Sequence, residues 1–255
     1  MATESDNPES SARTLAYYEG QAQAFWEGTR DHDVSQNIDA LLSRIEGVPP
    51  FTILDFGCGP GRDLRAFRAR GHVAIGLDGA PAFVAMARAR SGCDVVQQDF
   101  LALSLPASRF DGIFANASLF HVPTRELPRV LGELRDALKP RGVLFASNPH
   151  GQNEEGWNRG RYGAYHDLDT WTRFLRDAGF ALVDHYYRPT GLPRERQPWL
   201  ATVARKVTLA PDARLRSRGW RAPQPGMNAS TSASQRPSDA EHVGEPLAST
   251  LRTLK

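Results

Sequence analysis

Three glycines at alternate positions, Gly57, Gly59 and Gly61, close the apolar run Phe51-Thr52-Ile53-Leu54-Asp55-Phe56, and a helical pattern follows them. The segment therefore reads as strand, tight turn and helix. Glycine permits positive φ and lets a ligand approach the backbone with no Cβ in the way, while the next helix offers unpaired N–H groups at its start. A turn of this kind holds something small that carries a ribose or an anionic group. Carboxylates recur nearby in the pattern: Asp55 inside the first apolar run, Asp78 at the end of the next, and Asp99 after the third. His121 lies just beyond a fourth, in Asn116-Ala117-Ser118-Leu119-Phe120-His121.

The elements that must position these residues alternate along the chain. Leu15, Tyr18, Ala22 and Phe25, then Ile38, Leu41, Leu42 and Ile45, recur at helical spacing, so two helices precede the first strand. The polar linker 28–33 between them reads as an exposed turn with Asp33 or Ser35 as a helix cap. Asp63 to Arg70 is a short helix; Val73 to Leu77 is a buried-type strand ending at Asp78 and Gly79. Pro81 starts a helix running to about Arg90, and Val95-Val96-Gln97 is a third strand. Asp111 to Ala115 is a fourth strand; Leu127, Val130, Leu131, Leu134 and Leu138 mark an amphipathic helix that stops at Lys139-Pro140-Arg141-Gly142. Val143 to Ser147 is the fifth strand. Asn148 to His166 has no periodicity and reads as an ordered, functional loop, since it carries several aromatic residues. Leu168, Trp171, Phe174, Leu175 and Ala178 form a last helix, and Ala181 to Tyr187 and Trp199 to Val207 are two final strands. From about Pro211 the large apolar residues thin out, which predicts a disordered tail over 211–255. A disordered N-terminus is expected over 1–11.

Strands separated by helices indicate a parallel, doubly wound sheet, with the last strand antiparallel. Ligands of such sheets bind at the carboxyl ends of the strands beside the topological switch point. The glycine turn, Asp78, Asp99, Asn116 to His121 and Asn148 to His166 all follow strands and share that edge. If the sixth strand is parallel to the others, the loop Arg188 to Pro198 joins them.

Composition narrows the classes of function. The chain has 255 residues and 40% hydrophobic content, enough for one sizeable domain with tails. A net charge of +2, with no basic block interleaved with aromatics, gives a nucleic-acid partner little support. Cys58 and Cys93 form no disulfide framework, and no His/Cys/Asp cluster has metal spacing. No apolar run nears the roughly 18 residues of a membrane span, and the N-terminus carries no apolar signal core, so a cytoplasmic protein without membrane contact is expected. Oligomeric state is not legible.

Taken in order, Leu54-Asp55-Phe56-Gly57-Cys58-Gly59-Pro60-Gly61, Gly76-Leu77-Asp78, Gln98-Asp99-Phe100, Phe110-Asp111-Gly112-Ile113 and Leu138-Lys139-Pro140-Arg141-Gly142 resemble the successive motifs of class I S-adenosylmethionine-dependent methyltransferases of the small-molecule type. The resemblance covers roughly residues 12–206. It implies a Rossmann-like sheet of about seven strands over 12–207, with N-terminal lid helices over 12–48, where Tyr17-Tyr18 and Phe25 resemble the family's lid helix. It implies that Gly57, Gly59 and Gly61 curve around the methionine part and sugar of the cofactor, with Asp55 near its amino group. Asp78, with Gly79 beside it, would accept from both ribose hydroxyls; a turn cap is the alternative. Asp99 would contact the adenine amino group and Phe100 the ring, with ordinary core packing the alternative for Phe100. Cys58 stands where the family commonly has cysteine and takes no catalytic role. Tyr18, Arg30 and Asn116 complete the expected cofactor contacts; Arg30 could pair with the carboxylate of the cofactor or of the acceptor, or be solvated.

Methyl transfer from a sulfonium is an in-line displacement that needs no metal, and a base only when the nucleophile arrives protonated. His121 is the leading candidate base because of its place after the fourth strand; a structural or solvent-facing histidine is the alternative. His150, Arg161, Tyr162, Tyr165 and Arg188, with Arg159, Tyr186 and Tyr187 nearby, suggest an acceptor pocket with aromatic walls and cationic contacts, suited to a small molecule carrying an anionic group. His166 is a weaker candidate for that pocket. The Asn-Pro-Pro-Tyr signature of amino-group methyltransferases acting on nucleobases and glutamine is absent, which favours small metabolites.

Two rival functions remain. A dinucleotide-dependent oxidoreductase would need glycine where Arg62 stands. A non-catalytic module that binds S-adenosylmethionine for regulation would keep the motifs without turnover.

Overall fold

Apolar residues that alternate faces along each strand build the molecule from its middle outward. A computed structural model describes residues 7–208, so the expected tail over 211–255 lies outside the described residues. The main sheet holds β1 (Thr52–Phe56), β2 (Val73–Asp78), β3 (Asp94–Gln97), β4 (Phe110–Asn116), β5 (Leu138–Pro149), β8 (Phe180–Arg188) and β9 (Trp199–Lys206), in the order β3-β2-β1-β4-β5-β9-β8. β1 to β5 pair in parallel, from Thr52 opposite Val73 to Asn116 opposite Ser147. β9 is antiparallel to both β5 and β8, so β8 runs with the parallel set and brings Arg188 to the edge where Asn116 ends β4.

The strand period of two sends neighbouring residues to opposite layers. Ile53, Phe114 and Phe145 pack with Leu41, Leu64 and Phe67 on one face, while Leu54, Ile113 and Leu144 pack with Leu131, Leu134 and Trp171 on the other. The first layer is covered by α3 (Ser35–Leu42), α4 (Arg62–Ala69) and α5 (Pro81–Ser91), and the second by α6 (Leu127–Ala137) and α7 (Leu168–Asp177). Local chemistry sets their ends. Pro81 at the first turn and Gly92, at φ +65, bracket α5, and the Asp167 carboxylate accepts from the Thr170 N–H at 2.7 Å to cap α7.

Three sequence expectations need correction. Three helices, not two, precede β1: α1 (Asn7–Gly20) and α2 (Ala22–Thr29) are separated at Gln21 before α3 follows. α1 begins ahead of Ala12, so residues 7–11, expected to lack structure, are helical. Pro8 suits the first turn, where its missing N–H has no intrahelical acceptor to lose. The stretch Asn148 to His166 is not a loop throughout; β6 (Glu154–Asn158) and β7 (Arg161–Tyr165) form a separate two-stranded hairpin. Its turn, Arg159 at φ +49 and Gly160 at φ +85, has the left-handed pair that matches strand twist. Both faces of β6 carry exposed polar residues, so the alternation that marks a half-buried strand is missing there.

Phe114 is fully buried, 4.9 Å from the ring of Phe145 and 5.2 Å from that of Phe67. Phe114→Ala is expected to cost roughly 3–5 kcal/mol in urea unfolding, from lost burial plus the cavity left behind. A loss under about 1 kcal/mol would contradict this account of the core.

Candidate active site

The carboxylate of Asp78 organises the edge. It is 8% exposed, and its oxygens accept from backbone N–H groups on two loops, Gly59 at 2.9 Å and Ala80 at 3.0 Å. Burial pushes its pKa up to about 6, against the lowering effect of those N–H bonds. The glycine turn is shaped by close approach as well as by φ. Gly57, at φ +77, leaves no room for a Cβ, which would sit 2.4 Å from Ser118 Cβ, and Gly61, at φ +91, lets α4 meet Ala87 of α5. Gly59, at φ +52, has only the Phe25 ring within reach, at 3.7 Å, and borders open space.

That space is a cavity of about 840 Å³, its open mouth included. Gly57, Cys58, Gly59, Asp78, Gly79, Asp99, Phe100, Asn116 and His121 line its floor and walls. α1 roofs it with Ser11, Thr14, Leu15 and Tyr18, one face of a helix at spacings of three and four. The roof is fastened at several points. Ser11 Oγ donates to Asp99 at 2.6 Å, Thr14 Oγ1 accepts from Tyr162 N–H at 3.0 Å, and Glu19 accepts from Ala82 N–H at 2.8 Å. Leu15 lies where a Cβ on Gly79 would be, 2.5 Å from its Cδ2, so Gly79 is required by the lid itself. Phe100 stacks on Phe56 at 4.2 Å and also lines the cavity.

His121 is held from both sides. Its Nδ1 lies 2.6 Å from the Tyr162 carbonyl and its Nε2 lies 2.8 Å from the Tyr18 hydroxyl. A carbonyl only accepts, so Nδ1 carries the proton and Nε2 accepts from Tyr18. Burial drives the imidazole pKa down to about 4, which keeps the ring neutral. Tyr18 in turn accepts from Arg161 Nη1 at 3.2 Å; burial raises its pKa and the guanidinium opposes that.

Of the other expected site residues, Cys58 and Asn116 line the cavity, whereas Asp55, Gly61 and Arg30 do not. Asp55 is buried behind the turn and Oδ2 has no partner among the described residues; burial, then Asp63, raises its pKa well above the carboxylate range. Gly61 serves helix packing and does not line the cavity. Burial raises the Cys58 thiol well above its usual range, and its Sγ donates to Gly59 O. Arg30 pairs with Asp31 at 3.2 Å on the exposed surface, away from the cavity wall. Asn116 belongs to a polar chain that was not legible beforehand: Arg62 binds Asp63 with two nitrogens, Asn116 Nδ2 donates to Asp63, Asn37 Nδ2 to Asn116, and the Tyr186 hydroxyl to Asn37. The carboxylate, which only accepts, fixes the direction of every amide in it.

The residues expected to form one acceptor pocket are not together. The hairpin turns Arg161 and Tyr162 onto α1, and the Tyr165 ring lies beside Phe120 at 6.2 Å. His150 packs near Tyr187. His166 is buried, neither ring nitrogen has a hydrogen-bond partner among the described residues, and it faces a small space it shares with Asn148. Arg188 alone of this set lines a second cavity next to the first.

Comparison with known proteins agrees with this edge. A family model described as a methyltransferase domain matches residues 53–142. The trans-aconitate 2-methyltransferase of Klebsiella pneumoniae is 37% identical over 99 residues, covering 37% of this chain and 39% of that protein, well short of its full length. The Escherichia coli protein of the same name is 30% identical over 195 residues, covering 64% of this chain and 75% of its own. Among solved structures, the Burkholderia thailandensis 1,6-didemethyltoxoflavin-N1-methyltransferase, with 1,6-didemethyltoxoflavin and S-adenosylhomocysteine bound, has a TM-score of 0.67 at 22% identity, over 82% of this chain and 93% of that one, and shares the fold. With the glycine turn, the strand-end carboxylates and the roofed cavity, these matches establish that the chain belongs to the class I S-adenosylmethionine-dependent methyltransferases.

Proposed function

We propose that the protein transfers the methyl group of S-adenosylmethionine to a small-molecule acceptor that carries an anionic group. One observation carries the reading: Asp78, Asp99 and the Gly57–Gly59 turn face a single cavity closed by α1. The residues present suit the cofactor. Gly59 leaves space where a side chain would stand, Asp78 offers a buried acceptor and Asp99 a partly buried one, and Asp55 Oδ2 is a buried acceptor without a partner among the described residues. When bound, the cofactor supplies an electrophilic methyl group on a sulfonium. The chain's part is to bind, align and exclude water, with Leu15, Tyr18 and Phe25 as apolar cover.

His121 acts in this reading as proton acceptor through Tyr18. A protonated acceptor would pass its proton to the Tyr18 oxygen as Tyr18 releases its own to His121 Nε2, and the Nδ1–H bond to Tyr162 would steady the resulting cation. The anionic character of the acceptor is supported by the basic residues around the edge. Arg188 keeps a buried Nε–H without a partner among the described residues. The trans-aconitate and malonyl-acyl-carrier-protein methyltransferases among the relatives are named for acceptors of that kind.

Gly59→Val would put a branched side chain into the cavity at a left-handed position. It is expected to abolish S-adenosylhomocysteine binding in calorimetry while the circular dichroism spectrum stays unchanged; retained affinity would refute the placement. A pH profile tests Asp78 independently. Hydroxyl donors favour the ionised carboxylate, so affinity should rise about tenfold from pH 5 to pH 7 with a midpoint near about 6, and Asp78→Asn should flatten the profile. The cofactor-free protein has the opposite trend. A carboxyl whose pKa is raised in the folded state from 3.8 to about 6 contributes stability that is lost as pH rises through that window. A pH-independent affinity in the wild type would remove Asp78 from the cofactor site.

A further inference from the structure

The second cavity, about 860 Å³ with its mouth included, lies against the first. Asn116 and Ala117 line both. Ala117 is the hinge between them: it sits at φ +63, a strained position for a residue with a Cβ, and its N–H donates to Ser147 O at 2.8 Å. The two spaces are thus separated by one short stretch of backbone at the exit of β4, where a group in one can meet a group in the other.

Arg188 is the cation of this chamber. One nitrogen, Nη2, donates to the Asp33 carbonyl at 3.1 Å, which fixes the guanidinium from the linker side. Its Nε is buried and has no partner among the described residues. Asp33 also lines the chamber and feels the Arg188 charge, but its Oδ1 accepts from Ser35 N–H at 2.9 Å at the start of α3. A buried donor left unpaired is costly, and a carboxylate, which only accepts, is the kind of group that the Nε–H can hold. Trp199 supplies a flat wall in the same chamber, opposite Pro149 in the pairing of β5 with β9 and braced edge-on by Phe120 at 6.4 Å.

We propose that this chamber is the methyl-acceptor site and that it takes a small planar carboxylate, its anion on Arg188 and its unsaturated frame on Trp199. The inference rests on the methyltransferase reading and refines it: Arg161, committed to Tyr18 and the lid, is not part of acceptor recognition, whereas Arg188 and Trp199 are. The planar frame places the reacting atom toward Asn116 and Ala117, the stretch shared with the cofactor cavity.

The test uses the full chain saturated with S-adenosylhomocysteine and four probes, benzoate, trans-cinnamate and their neutral amides, followed by saturation-transfer NMR and calorimetry. The carboxylates are expected to bind at least tenfold more tightly than the amides. Arg188→Met should erase that preference, Arg188→Lys should keep part of it, and Trp199→Leu should weaken the carboxylates several-fold. S-adenosylhomocysteine affinity, measured on the same samples, reports that each variant is folded. Equal binding of acids and amides, an unchanged preference in Arg188→Met, or no probe binding to a protein that binds S-adenosylhomocysteine would overturn the inference alone. Failure of S-adenosylhomocysteine to bind the wild type would instead bring down the methyltransferase reading, and this inference with it.

Discussion

A buried carboxylate with backbone donors as its partners constrains the whole functional edge. Asp78 ends β2, yet its oxygens are held by N–H groups of the glycine turn after β1 and of the loop before α5. Gly59 donates one of those bonds from a left-handed conformation, and Gly57 beside it lies against Ser118, too close for any side chain. The same bonds do not fully offset burial, and the carboxyl is left with a raised pKa. Hydroxyl donors from a ligand are the natural complement to such a group.

The lid follows from this arrangement. α1 covers the cavity with one stripe, Ser11, Thr14, Leu15 and Tyr18, and each member has a fixed counterpart: Asp99, Tyr162 N–H, Gly79 and His121. The hairpin β6–β7 contributes both the Tyr162 contacts and Arg161, and Arg13 rests over Trp157 at 4.1 Å from the opposite side. Lid and hairpin therefore form one cover. Its polar contacts are many and individually modest, which suits a segment that must admit a ligand and then exclude water.

Much of this was legible in the chain. The parallel strands, the glycine turn and the strand-end carboxylates follow from local patterns, because a buried strand and a left-handed turn each restrict residue type strongly. What depends on tertiary approach was not. The start of α1 at Asn7 was hidden because residues 7–11 carry no large apolar residue to mark a helical period, and the bond from Ser11 to Asp99 is tertiary. The hairpin was hidden because neither face of β6 is buried. Arg161 and Arg188 look alike as basic loop residues, yet the hairpin carries one to the lid and β8 carries the other to the second cavity. The amide chain Asp63-Asn116-Asn37-Tyr186 joins residues far apart in sequence whose types, taken singly, are ordinary.

The central claim is that this edge binds S-adenosylmethionine, and calorimetric titration of the full chain with S-adenosylmethionine, S-adenosylhomocysteine and NAD, each alone, tests it most directly. Saturable binding of both sulfur compounds at a single site, each excluding the other, with no heat from NAD, is the expected result. Binding of NAD, or of neither sulfur compound, would contradict it.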